Sequence, residues 1–136
     1  MSFVLDSSVV LAWLLPDETN EAADRLADRL EQEFAVVPAI WALEIVNALL
    51  MAQRRGRIGD AELDRFISAV LALPIEVDRE SVGPGMSAIL ALARKLGLTA
   101  YDAAYLELAQ RQGLPLATLD GKLRQACVAL KLVVLP

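Results

Sequence analysis

Phe3-Val4-Leu5-Asp6-Ser7-Ser8 runs from three apolar residues straight into a carboxylate and two hydroxyls. Ser2 to Leu5 is short and lacks polar alternation, so it reads as a strand buried on both faces. Asp6-Ser7-Ser8 then ends the strand and offers caps for a following helix. The same arrangement recurs down the chain. Ala35-Val36-Val37 stands before Pro38, and Ile75-Glu76-Val77 follows Pro74. Leu116-Ala117-Thr118 and Leu132 to Leu135 complete a set of about five short strands.

The segments between them carry helical signals. Val9 to Leu15 is a short helix stopped by Pro16. Thr19 to Glu33 places Ala23, Leu26, Ala27 and Leu30 on one face. Pro38 opens a helix from Ala39 to about Arg55, which Gly56 ends. Asp60 to Leu73 is a helix capped by Asp60 and stopped by Pro74. Glu80 to Leu96 reads as helical with a break near Gly83-Pro84-Gly85, and Gly97 ends it. Thr99 to Gln112 ends at Gly113, and a last helix starts near Lys122. Apolar strands alternating with helices predict an α/β fold with a parallel sheet covered on both sides, in one domain over residues 1–136. In such sheets ligands bind at the carboxyl ends of the strands.

Composition narrows the chemistry. The 136 residues include no His and one Cys. That excludes a Ser-His-Asp triad, a Cys-His pair, a His general base and a His-ligated zinc, and one Cys forms no internal disulfide. What remains is carboxylates, hydroxyls, Lys, Arg, one thiol and any metal the carboxylates attract. A net charge of -5 argues against simple coating of a polyanion, unless bound cations reverse the sign locally. Asp6 interrupts the first apolar stretch and no basic segment precedes it, so no secretory signal is expected, and no run reaches the length of a membrane helix. With the low Cys content, this predicts a cytoplasmic location. The mean hydropathy of +0.45 is high for a domain this small. It predicts an apolar interface, read as a homodimer with a protein partner besides.

Four carboxylates stand out. Asp6 and Asp120 each follow an apolar strand, although Asp6 also suits an N-cap and Asp120-Gly121 a turn. Glu44 and Asn47 are the polar residues of an otherwise apolar stretch from Ala39 to Ala52, three apart and on one helix face. A carboxylate there needs a partner, a proton, a metal or access to solvent. Thr99 to Asp102 has the outline of a capping box, with Asp102 at a helix start. Gathered together without His or Cys, the four would make a hard-cation site for Mg²⁺ or Mn²⁺.

The ordered set Phe3-Val4-Leu5-Asp6-Ser7-Ser8, Glu44-Ile45-Val46-Asn47, Leu98-Thr99-Ala100-Tyr101-Asp102-Ala103-Ala104-Tyr105 and Leu116-Ala117-Thr118-Leu119-Asp120 resembles the signature of PIN-domain ribonucleases, most closely the VapC-type toxins of toxin–antitoxin pairs. The resemblance covers essentially the whole chain. Leu123 departs from it, standing where relatives often carry an aromatic residue. It implies a three-layer α/β/α sandwich and a metal-dependent endoribonuclease that cleaves RNA with a metal-activated water, leaving a 5′ phosphate and a 3′ hydroxyl. Asp6 and Asp102 would be the principal metal ligands, with Glu44 and Asp120 completing the site. Thr118 and Ser7 would orient the phosphate or a water, and Asn47 would support Glu44. The partners implied are RNA and a cognate antitoxin.

Arg54, Arg55 and Arg57 cluster at the end of the Glu44 helix. They either complement the helix dipole or contact RNA or an acidic partner segment. Arg94-Lys95 and Lys122-Arg124 carry the same alternatives. Trp13, Trp41 and Tyr101 could stack on bases, though apolar neighbours favour packing for both tryptophans. Cys127 reads as a small core residue. Two rival functions fit parts of the pattern. One is a phosphatase with Asp6 as nucleophile, which lacks the usual second Asp two residues on. The other is a non-catalytic interaction domain whose acids are helix caps.

Overall fold

A computed structural model describes residues 2–136. Among them, seven α-helices flank a five-stranded sheet in the order β3-β2-β1-β4-β5, every pairing parallel. The strands are β1 (Phe3–Leu5), β2 (Ala35–Pro38), β3 (Ile75–Asp78), β4 (Leu116–Ala117) and β5 (Val134–Leu135). The helices are α1 (Ser7–Leu14), α2 (Glu21–Arg29), α3 (Trp41–Arg54), α4 (Asp60–Leu71), α5 (Met86–Leu96), α6 (Ala100–Gln112) and α7 (Gly121–Ala129). This is the α/β/α sandwich the sequence predicts.

β1 lies at the centre, and Phe3, Val4 and Leu5 are completely buried. The core continues from it through Ile45 and Leu49 of α3 and Leu106 and Leu108 of α6 to Leu123 of α7. Leu123 thus fills its position as an ordinary packed aliphatic. From β1 the chain winds outward to β2 and β3. It then returns through α5 and α6 to lay β4 on the other side of β1. The direction of winding reverses between β1 and β4, and such a switch point leaves a crevice at the strands' carboxyl ends.

Several boundaries differ from expectation for identifiable reasons. The helix predicted over Thr19–Glu33 is shorter at both ends. Residues Pro16–Glu18 form a 3-10 turn, closed by the Thr19 hydroxyl donating to the Pro16 carbonyl at 2.8 Å. Asn20 then caps α2 by accepting from Ala23 N at 3.0 Å. Gly59, not Asp60, is the N-cap of α4, and its N–H donates to Glu62 at 3.3 Å. The helix from Glu80, by contrast, breaks at Gly83-Pro84-Gly85 as expected, into a 3-10 turn at Glu80–Val82 and α5 from Met86. A side chain at Gly85 would meet the Glu80 carbonyl at 3.0 Å, a tight contact that favours glycine at this turn. Thr118 stands just beyond β4, its N–H donating to the Leu135 carbonyl at 2.9 Å.

Arg111, near the end of α6, pins that helix to the edge of the sheet. It donates to both carboxylate oxygens of Asp78, at 3.1 and 2.8 Å, and to Glu107 at 2.8 Å. Asp78 and Glu107 are both buried. Burial alone would raise the Asp78 pKa, but the Arg111 and Ser81 hydrogen bonds and the Arg111 charge hold it below the usual range. Removing the cation strands two buried carboxylates. Arg111→Ala should therefore lower the unfolding free energy by about 3 kcal/mol at pH 7, read by urea denaturation. Because the folded-state pKa of Asp78 is depressed, its contribution is present above its unfolded value and lost as pH falls through the folded one. The gap between wild type and variant should narrow in acid below about pH 4.

Candidate active site

The parallel pairing of Leu5 with Ala117 brings the residues after β1 and β4 together. The Asp6 N–H donates to the Ala117 carbonyl at 2.9 Å, continuing the ladder one step past the strand. Asp6 stands at the N-cap of α1, yet its side chain does not cap the helix. Its Oδ2 accepts instead from the Ser8 hydroxyl at 2.6 Å and the Thr118 hydroxyl at 2.7 Å. Each hydroxyl oxygen is itself an acceptor, of Leu119 N at 3.0 Å for Ser8 and of Asp120 N at 3.1 Å for Thr118. Those backbone donors leave both hydroxyl protons directed at Asp6.

The other acids arrive on helix starts. Glu44 lies in the first turn of α3 and is half-buried. Its Oε1 accepts a short hydrogen bond from the hydroxyl of Tyr105, which is itself completely buried. Asp102 sits in the first turn of α6, where Thr99 caps the helix by accepting from Asp102 N at 3.2 Å. The Asp102 carboxylate does not accept from the Thr99 N–H to close a capping box, though the Thr99 hydroxyl beside it lowers its pKa. Asp120 does cap α7, accepting from Lys122 N at 3.1 Å. The capping alternative thus accounts for one of the four side chains.

The acids act on one another. Burial raises the Asp6 pKa and the charge of Asp120 raises it further, while Ser8 and Thr118 pull it back in part. Burial also raises Glu44, with Asp6 and Asp102 adding to the effect and the Tyr105 and Ser7 hydroxyls opposing it. For Asp102 burial leads again, followed by Asp120 and Asp6, and exposed Lys122 opposes. No ion pair among the described residues includes any of these four carboxylates. With Asp6 buried and the other three half-buried, they form a negative cluster of hard oxygen donors, which suits a hard divalent cation. Among the described residues, no three such side chains stand close enough to enclose an ion as they are.

The remaining expected residues fall on both sides of the prediction. Thr118 is in the site, but its proton is committed to Asp6 and not free for a phosphate. Ser7 lies beside Glu44 and Tyr105. Asn47 is exposed and makes no hydrogen bond to Glu44; Tyr105 fills that supporting position. Arg57 is tied to Asp17 at 2.6 Å and Glu18 at 3.4 Å, bracing the 3-10 turn, whereas Arg54 and Arg55 are exposed. Trp13 donates to the Ala23 carbonyl at 2.7 Å and Trp41 is buried, so both pack, while Tyr101 is exposed next to Asp102. Cys127 is buried, and burial pushes its thiol up to about 11, as suits an inert core residue. Ser8 and Tyr105 are the functional residues that the sequence reading passed over. Tyr105 had a usable signal: it lies three residues after Asp102, on the same helix face.

The family model for the PIN domain matches residues 3–129. The chain belongs to the PIN domain family. This PIN domain is 32% identical over 130 residues to Ribonuclease VapC3 of Pyrobaculum aerophilum, covering 96% of this chain and 98% of that one. It is also 32% identical over 123 residues to Ribonuclease VapC12 of Mycobacterium tuberculosis, covering 90% of each. Among solved structures, PAE2754 from Pyrobaculum aerophilum superposes with a TM-score of 0.70 at 27% identity, over 93% of this chain and 87% of that one. VapBC2 from Rickettsia felis, bound to a promoter DNA fragment, matches in fold with a TM-score of 0.68 at 11% identity, over 98% and 97% of the two chains.

A buried acid crowded by other acids weakens the metal-free fold. Asp6→Asn keeps an acceptor for Ser8 and Thr118 and removes the charge. It should raise the stability of the metal-free PIN domain at pH 7 by on the order of 1 kcal/mol, read by urea unfolding in chelator. Because the folded-state pKa of Asp6 is raised, wild type recovers stability as pH falls through it, so the difference should shrink toward pH 4, the unfolded range. A variant less stable than wild type at pH 7 would contradict the electrostatic reading.

Proposed function

We propose that this PIN domain is a Mg²⁺- or Mn²⁺-dependent endoribonuclease and the toxin of a toxin–antitoxin pair. The observation that carries the reading is the convergence of Asp6, Glu44, Asp102 and Asp120 on the switch point between β1 and β4, with no paired cation. Relatives named Ribonuclease VapC, similar over nearly their whole length, support the reaction class. An RNA substrate and a cognate antitoxin come with that reading, as does action in the cytoplasm. No helix among the described residues is long and apolar enough to cross a membrane.

Asp6 and Asp102 would be the principal ligands, with Glu44 and Asp120 completing the set. When bound, a divalent cation supplies Lewis acidity toward the phosphodiester and acidifies a water to near neutrality. The chain supplies the rest. Ser8 and Thr118 hold the Asp6 carboxylate in one orientation, and Tyr105 does the same for Glu44. Ser7, at the start of α1, is the hydroxyl placed to orient a phosphate. Drawing the acids together costs less once their charge is neutralised, and that also lets RNA approach an acidic protein.

A homodimer is part of the proposal. Exposed Val82, Met86, Leu90 and Tyr101 line one apolar groove between α5, the start of α6 and the Pro38–Ile40 turn. Covering it with a second copy accounts for the high mean hydropathy. Leu90→Arg should convert the species seen by sedimentation equilibrium from dimer to monomer. An unchanged mass would reject this face as the interface.

The activity test uses purified protein and single-stranded RNA. Wild type should cleave with Mg²⁺ or Mn²⁺ and stop in excess chelator, leaving 5′ phosphates. Asp6→Asn and Asp102→Asn should each lose about 100-fold or more, since even indirect changes at metal sites cost up to that. Undiminished cleavage in chelator, or by the double variant, would overturn the reading.

A further inference from the structure

From the bond between Tyr105 and Glu44 we infer that Tyr105 is a positioning residue of the carboxylate site: it holds Glu44 in the orientation that binds a divalent cation. The inference rests on the metal-dependent reading above and deepens it. Glu44 reaches the site on a flexible three-torsion side chain, and its carboxylate accepts a short hydrogen bond from Tyr105, with the Ser7 hydroxyl also beside it. The donor is unusually well fixed. The Tyr105 ring is completely buried in the main core, so the hydroxyl is carried up to the site on a rigid support.

The placement also links two acids through one helix. Asp102 and Tyr105 are three residues apart on α6, so they rise from the same face. α6 therefore delivers one carboxylate directly and orients a second, which comes from α3 on a segment 61 residues distant in sequence. A phenylalanine at 105 would fill the same space and pack the same core, but would leave the Glu44 carboxylate free to rotate. The consequence falls on metal affinity before it falls on chemistry. Partners that orient a metal ligand typically govern affinity or activity by 10- to 100-fold.

The test is Mn²⁺ binding by isothermal titration calorimetry on wild type, Tyr105→Phe, Glu44→Gln and the double variant, with thermal unfolding in chelator recorded for each. Tyr105→Phe should bind Mn²⁺ about 10-fold more weakly than wild type. In a Glu44→Gln background the same change should cost no further affinity, because the residue acts through Glu44. In RNA cleavage, Tyr105→Phe should need about 10-fold more Mn²⁺ for half-maximal rate and approach the wild-type rate at saturation. Wild-type affinity in Tyr105→Phe would overturn the inference while leaving the metal reading intact. An equal loss in both backgrounds would overturn it as well, assigning Tyr105 to packing alone. Absence of Mn²⁺ binding by wild type would overturn both readings.

Discussion

The parallel pairing of β1 with β4 is the constraint on which the rest of the molecule depends. Each contributes only a few residues, yet their register sets Asp6 next to Thr118 at the point where the winding reverses. Slipping that register by one residue would turn Leu5 out of the core and Asp6 away from its hydroxyl partners. The buried aliphatics of β1, α3 and α6 therefore do two things with the same contacts. They drive folding, and they force a carboxylate into a position where it is desolvated and faces others.

That arrangement stands against the usual economy of a folded chain. Elsewhere the protein neutralises its buried acids: Arg111 satisfies Asp78 and Glu107, and the arginine side chain bridges α6 to the sheet edge. At the carboxyl ends of β1 and β4 the opposite holds. Burial raises the pKa of Asp6, Glu44 and Asp102, the charge of Asp120 adds to it at Asp6 and Asp102 and that of Asp6 at Glu44 and Asp102, and no arginine or lysine forms an ion pair with them. One sheet edge neutralises its acids within the chain, and the crevice leaves its acids without an ion-pair partner. The absence of His from the sequence sharpens this contrast, because no imidazole is present to offset the acids when protonated or to act as a base when neutral.

The sheet and the four acids were legible because both are written in local patterns. The short runs before Asp6 and after Pro74 read as strands, of which β1 is fully buried while β3, at the sheet edge, exposes Glu76 and Val77, and a lone Glu44 in an apolar helix calls for a partner. What the pattern could not give was the choice among neighbouring hydroxyls. Ser7 and Ser8 are equivalent in sequence, and only the turn into α1 sends Ser8 back to Asp6. Asn47 looked like a support for Glu44 because spacing along α3 ignores what α6 brings across. Tyr105 wins that position because its ring is anchored in the core, which no reading of α3 alone reveals. The helix start misplaced near Thr19 depends on cap and turn contacts, the Thr19 hydroxyl on Pro16 and Asn20 on Ala23, that are decided in three dimensions.

The central claim is that the acid cluster is a divalent-cation site. The most direct measurement is a crystal structure of the protein grown with Mn²⁺, with data collected at the manganese absorption edge. A bound manganese ion would give an anomalous peak among the carboxylates of Asp6, Glu44, Asp102 and Asp120, with Glu44 still bonded to Tyr105. A fully ordered site with no anomalous peak, its acids paired with lysine or arginine instead, would contradict the claim.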